Sequence, residues 1–301
     1  MNLRQLDYFL AVARARSMTR AAVELGVAQP TLTKSIRTLE AELGVELFRR
    51  LPRGVELSGA GLSLFRHAQT VNVQMQDAIR EIGSLRGGTP GTVAIGAGPA
   101  WLRRHLPLAV ARALKRHPAM RVRIDGGFDD ILLRALRRGE VDFVVAELPS
   151  PEMAQDLSLI PLTSDSLGVI CRLGHPLAAN GRVEPGHLLD FPWALPPLST
   201  RTQRRLRALF VAADLPPPEA VVETESQAFI IQMIRHSDAI SFSVATTLKA
   251  AESEGLIMLR VPALASTRHA GIICRKDGWI SPASAAVIDE LKSICALEPE
   301  N

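Results

Sequence analysis

Ser17 to Leu57 reads SMTRAAVELGVAQPTLTKSIRTLEAELGVELFRRLPRGVEL, and the reading of the whole chain turns on it. The Ser17 hydroxyl is placed to cap a helix over MTRAAVEL, Gly26 breaks the periodicity, and Pro30 sits in the first turn of a following helix. In that helix Leu32, Ile36, Leu39 and Leu43 share one face, and Gly44 ends it. Ala21, Leu25 and Val27 supply the small and apolar side chains that two tightly crossed helices need. Upstream, Asn2 and Gln5 form an N-cap signature before Leu6, Phe9, Leu10 and Ala13 at helical spacing. A short helix, a Gly turn and a second helix with a polar outer face make a helix-turn-helix.

That outer face carries Gln29, Thr31, Lys34, Ser35 and Thr38. Amides, hydroxyls and an ammonium are what base edges and phosphates accept, although any solvated helix face is polar. LFRRLPRGVEL adds Arg49, Arg50 and Arg53 with no acid among them, and Pro52 and Gly54 turn the chain. A basic hairpin directly after a helix-turn-helix reads as a wing that follows a phosphate backbone; a solvated loop is the plainer reading.

The run from Ser17 to Gly61 resembles the DNA-binding domain of LysR-type transcriptional regulators. The matching features are the Ala pair, the LGV turn, the QP opening the recognition helix, the I..LE.ELG.LF.R run and the RGV.L wing. The resemblance implies a helix-turn-helix over Met18–Arg37, with Gln29, Pro30, Thr31, Thr33, Lys34 and Thr38 near double-stranded DNA and Arg50 and Arg53 on the wing. Ala28 stands where the family has a capping Ser. Thr33-Lys34 replaces the common Ser-Arg, and Lys cannot make the bidentate contact that Arg makes to guanine, so base preference stays open.

From Ser58 onward Leu64, Ala68, Val71, Met75, Ala78, Ile82 and Leu85 step alternately by four and three residues until Gly87-Gly88, with Pro90 beyond. Such a seam either packs on its own domain or pairs two chains. The family's long linker helix matches it, implying a homodimer and, from two dimers, a tetramer.

Beyond Gly88 the chain alternates strands and helices: Thr92–Gly96, a helix from Trp101 to Arg116, Arg121–Ile124, a helix from Ile131 to Arg138, then Val141–Leu148. This βαβαβ order predicts a parallel sheet with right-handed crossovers. Ser166–Arg172 is expected to begin a second sheet. Gln203–Ala212, Ala239–Val244, Ile257–Val261, Arg268–Cys274 and a terminal helix from Pro282 to Leu297 follow.

The fold class expected is an all-α winged helix-turn-helix N-terminal domain plus an α/β two-lobed effector domain similar to type 2 periplasmic binding proteins. Its spans are residues 1–58 for DNA binding, 59–88 for the linker helix and 89–301 for the effector domain. LRRGEVDFVV, GHPLA and HAGIICRKDG fall where the resemblance places them, with lobe one at 90–161 and 267–301 and lobe two at 162–266.

A small-molecule effector is expected between the lobes, where strand ends and helix N-termini converge. Gly98-Pro99-Ala100-Trp101 turns from a strand into a helix, and its free amides favour an anion. Opposite, Ser199, Thr200, Arg201 and Thr202 offer hydroxyls and a guanidinium, with Phe128 and Ser226 as outer contacts. Each segment could equally be a plain helix cap. Pro99-Ala100 departs from the hydroxyl residue that relatives often carry, and the family together with Arg201 favours a small carboxylate.

Charge supports the division. Residues 1–86 hold 12 Lys/Arg against 8 Asp/Glu, whereas residues 87–301 hold 23 of each, so the excess positive charge of +4 lies in the first third. The longest uncharged stretch, Gly87–Leu102, has 16 residues with five Gly and two Pro, too short and too broken to span a bilayer. MNLRQLDYFLAVARAR lacks a signal peptide's apolar stretch, so a cytoplasmic protein without membrane attachment is expected. Cys171, Cys274 and Cys295 read as buried reduced thiols rather than a redox switch.

An enzyme is the first rival reading, but the seven His form no HxxxH or HxH pair and no GxSxG, P-loop or GxGxxG is present. His175 and His187, in turn-like segments, are expected at the surface. No catalytic residue, metal or cofactor is expected. A purely architectural DNA-binding protein is the second rival, and it leaves the large second domain unexplained. RNA polymerase is a further partner that the regulator reading allows.

Overall fold

The computed structural model describes residues 1–85, 91–179, 181–249 and 254–297. The chain divides into two units, Met1–Leu85 and Arg86–Asn301. The expected helix stop at Gly87-Gly88, Pro90 and the effector-domain start at residue 89 lie outside the described residues.

The first unit opens with α1 (Leu3–Ala15), α2 (Met18–Glu24) and α3 (Gln29–Leu43). Asn2 Oδ1 accepts from the Gln5 amide at 3.0 Å while Gln5 Oε1 accepts from the Asn2 amide at 2.7 Å, a complete capping box. Ser17 Oγ accepts from the Arg20 amide at 3.3 Å and starts α2. At α3 no side chain caps Ala28, and Pro30 in the first turn presets the backbone instead. Phe9, Leu10, Leu32, Ile36 and Leu39 close the core, whereas Leu43 is 40% exposed because the packed face of α3 ends at Leu39. The hairpin of β1 (Phe48–Leu51) and β2 (Gly54–Leu57) follows, and Phe48 lies 5.3 Å from Phe9, pinning it to the helices. Then α4 runs 27 residues from Gly59 to Leu85.

The second unit contains β3 (Thr92–Ala97), α5 (Pro99–Arg103), α6 (His105–Arg116), β4 (Arg121–Gly126), α7 (Asp129–Arg137) and β5 (Phe143–Glu147). Strands β4, β3 and β5 are parallel neighbours, as the crossovers require. There follow β6 (Leu157–Arg172), β7 (Trp193–Leu195), α8 (Arg201–Ala212), β8 (Ala220–Glu223), α9 (Gln227–Arg235), β9 (Ser241–Val244), β10 (Leu256–Met258), β11 (Ser266–Arg275) and α10 (Pro282–Ala296). One seven-stranded sheet runs β10-β6-β11-β5-β3-β4, with β9 also paired to β6, and β7-β8 form a separate parallel pair.

Strand β11 pairs antiparallel with the first part of β6, from Leu157 to Leu167, and the two strands serve both lobes. Their register shifts between Ala270 and Gly271, where any Cβ on residue 271 would meet the Ile160 carbonyl oxygen at 2.1 Å. Only Gly lets the strands approach there. Val93, Ile95, Leu106, Phe143 and Ile272 anchor the core at one end, and Val169, Trp193, Leu206, Phe210 and Ile240 that at the other.

Three expectations need correction, and three elements escape the sequence reading. The helix expected from Trp101 to Arg116 is two helices broken at Arg104 (φ −131°, ψ −76°). Pro107 lacks an amide hydrogen for the Arg103 carbonyl and its ring crowds that oxygen, so one continuous helix is disfavoured. Ser166–Arg172 does not begin a second sheet, because β6 starts at Leu157 and runs on unbroken, paired with β11 up to Leu167 and with β9 and β10 beyond it. The strands β7 and β8 and the helix α9 have no counterpart in the sequence reading. His175 is buried, not at the surface: Nδ1 accepts from the Leu177 amide at 3.1 Å, Nε2 lies 3.1 Å from the Asp238 carbonyl oxygen, and the ring packs on Phe191.

Candidate functional site

In the first unit Gln29, Pro30, Thr31, Lys34 and Thr38 are exposed on α3, and Thr33 is half-buried. Gln29 Nε2 donates to Thr33 Oγ1 at 3.0 Å, which holds the amide along the helix surface. The Thr38 hydroxyl turns back to the Lys34 carbonyl at 3.0 Å. An open groove separates this face from the wing, with Gln29, Thr33, Arg37 and Arg50 on its walls together with Ser17 and Thr19. Arg37 is the residue that sequence reasoning underrates. It continues the stripe of Gln29 and Thr33 at steps of four, a spacing that could have revealed it.

The wing carries Arg49, Arg50 and Arg53 exposed, with Arg49 opposite Glu56 and Pro52-Arg53 forming the turn. Gly54 (φ +108°) is required: the Val55 amide donates to the Arg16 carbonyl at 3.1 Å, and a Cβ on residue 54 would sit 2.4 Å from that oxygen. Glu40 Oε1 accepts from the Leu47 and Phe48 amides at 2.8 and 3.2 Å, fastening the base of the wing to α3.

Along α4, Ala68 is buried in the core of its own unit and Leu64 packs beside it. The rest of the heptad seam lies open: Val71 is 43%, Met75 37%, Ile82 58% and Leu85 81% exposed. The seam therefore divides between packing on its own unit and an unpartnered apolar stripe.

In the second unit the two lobes flank an open cavity of about 50 Å³. Gly98, Pro99, Ala100, Trp101, Phe128 and Thr202 line it, joined by Asp129, Glu147, Gln227, Ser243, Thr247 and Arg268. Ser199, Thr200, Arg201 and Ser226 are not on its wall. Thr200 and Ser226 are spent as caps, their hydroxyls accepting from the Gln203 amide at 3.3 Å and the Phe229 amide at 3.2 Å. Ser199 is exposed, and its carbonyl accepts from Arg204.

Arg201 instead reaches across the cleft. Its Nε lies 3.9 Å from Asp129 and its Nη1 donates to the Glu147 carbonyl at 3.3 Å. Arg204 pairs with Asp130 at 3.4 Å and Arg205 with Glu147 at 2.6 Å. All three cations stand in the first turns of α8, where they oppose the helix dipole, and all three acids belong to the other lobe. Burial pushes the Asp129 carboxyl above the ordinary aspartate range, and the Arg201 charge beside it pulls the other way.

Residues 3–62 match the family model described as a bacterial regulatory helix-turn-helix protein of the lysR family, and residues 86–296 match that of the LysR substrate binding domain. The chain belongs to the LysR family of transcriptional regulators. It is 30% identical over 295 residues to the HTH-type transcriptional regulator GbpR of Azospirillum brasilense, covering 97% of this chain and 86% of that protein. It is 32% identical over 261 residues to the regulator PcaQ of Agrobacterium fabrum, covering 86% of this chain and 83% of the relative. Among solved structures, a full-length OxyR variant from Pseudomonas aeruginosa superposes with a TM-score of 0.66 at 25% identity, covering 99% and 95% of the two chains. CbnR in complex with its target DNA shares the fold, with a TM-score of 0.59 at 22% identity, covering 97% of this chain and 99% of CbnR.

This LysR-type chain is thus a ligand-responsive, DNA-binding transcriptional regulator with a winged helix-turn-helix and an α/β substrate-binding domain. These relatives are HTH-type transcriptional regulators. Among the described residues no helix is long and apolar enough to cross a membrane.

Proposed function

We propose that this LysR regulator is a cytoplasmic homodimer, assembling further to a tetramer, that reads a two-fold operator through α3 and the wing and changes its output when a small carboxylate enters the inter-lobe cavity. Gln29, Pro30, Thr31, Thr33, Lys34 and Thr38 face base edges and phosphates, while Arg50 and Arg53 follow the backbone. The open part of the α4 seam pairs two chains and so presents two recognition helices together. The spans proposed are 1–58, 59–88 and 89–301, the last divided into lobe one (90–161 and 267–301) and lobe two (162–266). RNA polymerase is the partner through which an occupied regulator acts.

In this reading Gly98 to Trp101, Phe128 and Thr202 contact the effector, and Ser199, Thr200, Arg201 and Ser226 shape the rim. Arg201 holds the lobes together through Asp129 and Glu147. The observation that carries the reading is the groove flanked by exposed Gln29 and Arg37 on α3 and Arg50 on the wing, in a chain whose other unit holds an inter-lobe cavity lined by charged, polar and apolar side chains. Two measurements on the full chain test it. Gel retardation with its own promoter region should show a footprint of two half-sites. A thermal-shift screen of metabolites should find a carboxylate that raises Tm and alters that footprint. Binding that ignores sequence, or a footprint that no metabolite changes, would refute it.

A further inference from the structure

We infer that Glu147 and Arg268 form the recognition centre of the cavity and that the effector they select is a short 2-hydroxy carboxylate. The inference rests on the cavity being the effector site. Arg268 lies on β11 two residues before Ala270, which stands opposite Glu147 on β5. Alternation along a strand puts Arg268 and Glu147 on one face of the sheet as diagonal neighbours, and both line the cavity.

Their contact is incomplete. Arg268 Nη1 lies 3.8 Å from Glu147 Oε2, too far for a hydrogen bond. Arg268 Nε and Glu147 Oε2 are both buried and have no hydrogen-bond partner, while Glu147 Oε1 is occupied by Arg205 at 2.6 Å. The wall of the cavity thus holds a spare charged donor beside a spare charged acceptor. Each buried orphan carries a desolvation cost that a suitable ligand would remove. Burial also pushes the Arg268 pKa down, so a bound anion would stabilise a charge that the site otherwise disfavours.

One small molecule satisfies both groups when it carries a carboxylate oxygen for Nε and, on the neighbouring carbon, a hydroxyl to donate to Oε2. The opposite wall is prepared for the remaining polar atoms: Gln227 Nε2 donates to Ser243 Oγ at 3.3 Å, and Ser243 Oγ lies 3.0 Å from Thr247 Oγ1. About 50 Å³ is room for about four ordered waters, which fits an acid of two or three carbons.

Calorimetric titration of the full chain decides this, with glycolate and lactate as probes against acetate, propionate and benzoate (no hydroxyl) and 1,2-propanediol (no carboxylate). Glycolate or lactate should bind about tenfold or more tightly than every analogue lacking one group. Arg268→Gln and Glu147→Gln should each remove that advantage. The wild-type series stands by itself should either variant fail to fold. Equal binding of propionate and lactate would overturn the inference, as would hydroxy-acid affinities unchanged in both variants. If a different metabolite stabilises the chain while no hydroxy acid does, only this inference falls. If no metabolite binds at all, water alone fills the cavity and the sensing reading falls with it.

Discussion

The two units of this regulator store function at different distances along the chain. In the first, the proposed DNA-facing side chains from Gln29 to Thr38 fit within one helix, and the wing follows within a further fifteen residues. In the second, the cavity draws on Gly98, Phe128, Glu147, Thr202, Gln227, Ser243 and Arg268, spread over most of the unit. A helix displays its outer face by a fixed period, so a surface site can be read from spacing. A cleft is assembled by tertiary pairing, and strand registers such as Ala270 opposite Glu147 are not written in either strand alone.

The largest expected effect falls on the open seam of α4. Replacing both Val71 and Met75 with Asp would bury charges against their own copies, at several kcal/mol. Sedimentation should show monomers, and affinity for a two-half-site operator should collapse while the fold of each unit persists. An intact dimer would show that the exposed stripe serves something other than pairing.

Next come the readers themselves. Gln29→Ala or Thr31→Ala should cost about 1–3 kcal/mol at particular base pairs and little elsewhere. Arg50→Ala with Arg53→Ala should weaken binding to every sequence and flatten the salt dependence by about one unit of slope per lost phosphate contact. Retention assays across a salt series separate the two behaviours. An unchanged slope would remove the wing from the interface.

These contrasts match what is legible in the sequence. The capping pair Asn2 and Gln5, Ser17, Pro30 and Gly44 are local signals, and each marks an element boundary where the periodicity places it. The break at Arg104 is legible in principle from Pro107 but is outweighed by the apolar run around it. Strand β6 reads short because Pro161 looks like a strand end, whereas it lies at the register shift opposite Gly271. The helix α9 hides in FIIQMI, an apolar run whose period does not distinguish helix from strand. Arg201 stands out because it sits in a polar turn. Arg268, Glu147 and Asp129 do not, because nothing within ten residues of any of them announces the others.

A smaller, pH-dependent effect probes the cleft. The folded chain holds a proton on Asp129 more tightly than the unfolded chain does. Its contribution to stability is therefore greatest below the ordinary aspartate pKa, falls as pH rises through the higher folded value, and is constant above it. Comparing the melting of the wild type with that of Asp129→Asn across acid pH should show the wild type losing ground in that window and nowhere else. A flat difference would mean that Arg201 cancels the cost of burial.

The smallest effect concerns the three thiols. Cys171, Cys274 and Cys295 are all buried, and burial pushes the thiols of Cys171 and Cys274 up to about 11. They should react with a thiol reagent at pH 8 only as denaturant opens the chain. Rapid labelling of the native protein would mean that the second unit opens far more readily than its packing suggests.

One carboxylate in the first unit has a consequence for the DNA as well as for the protein. Glu40, six residues along α3 from Lys34, grips the two amides at the root of the wing. The helix and the hairpin are thereby riveted into a calliper of set gauge. A duplex that is to touch both jaws must offer a groove and a phosphate ridge at that spacing, or be bent until it does. Sequences that flex cheaply would then be favoured at positions no side chain reaches, a preference lodged in the stiffness of the operator rather than in its letters.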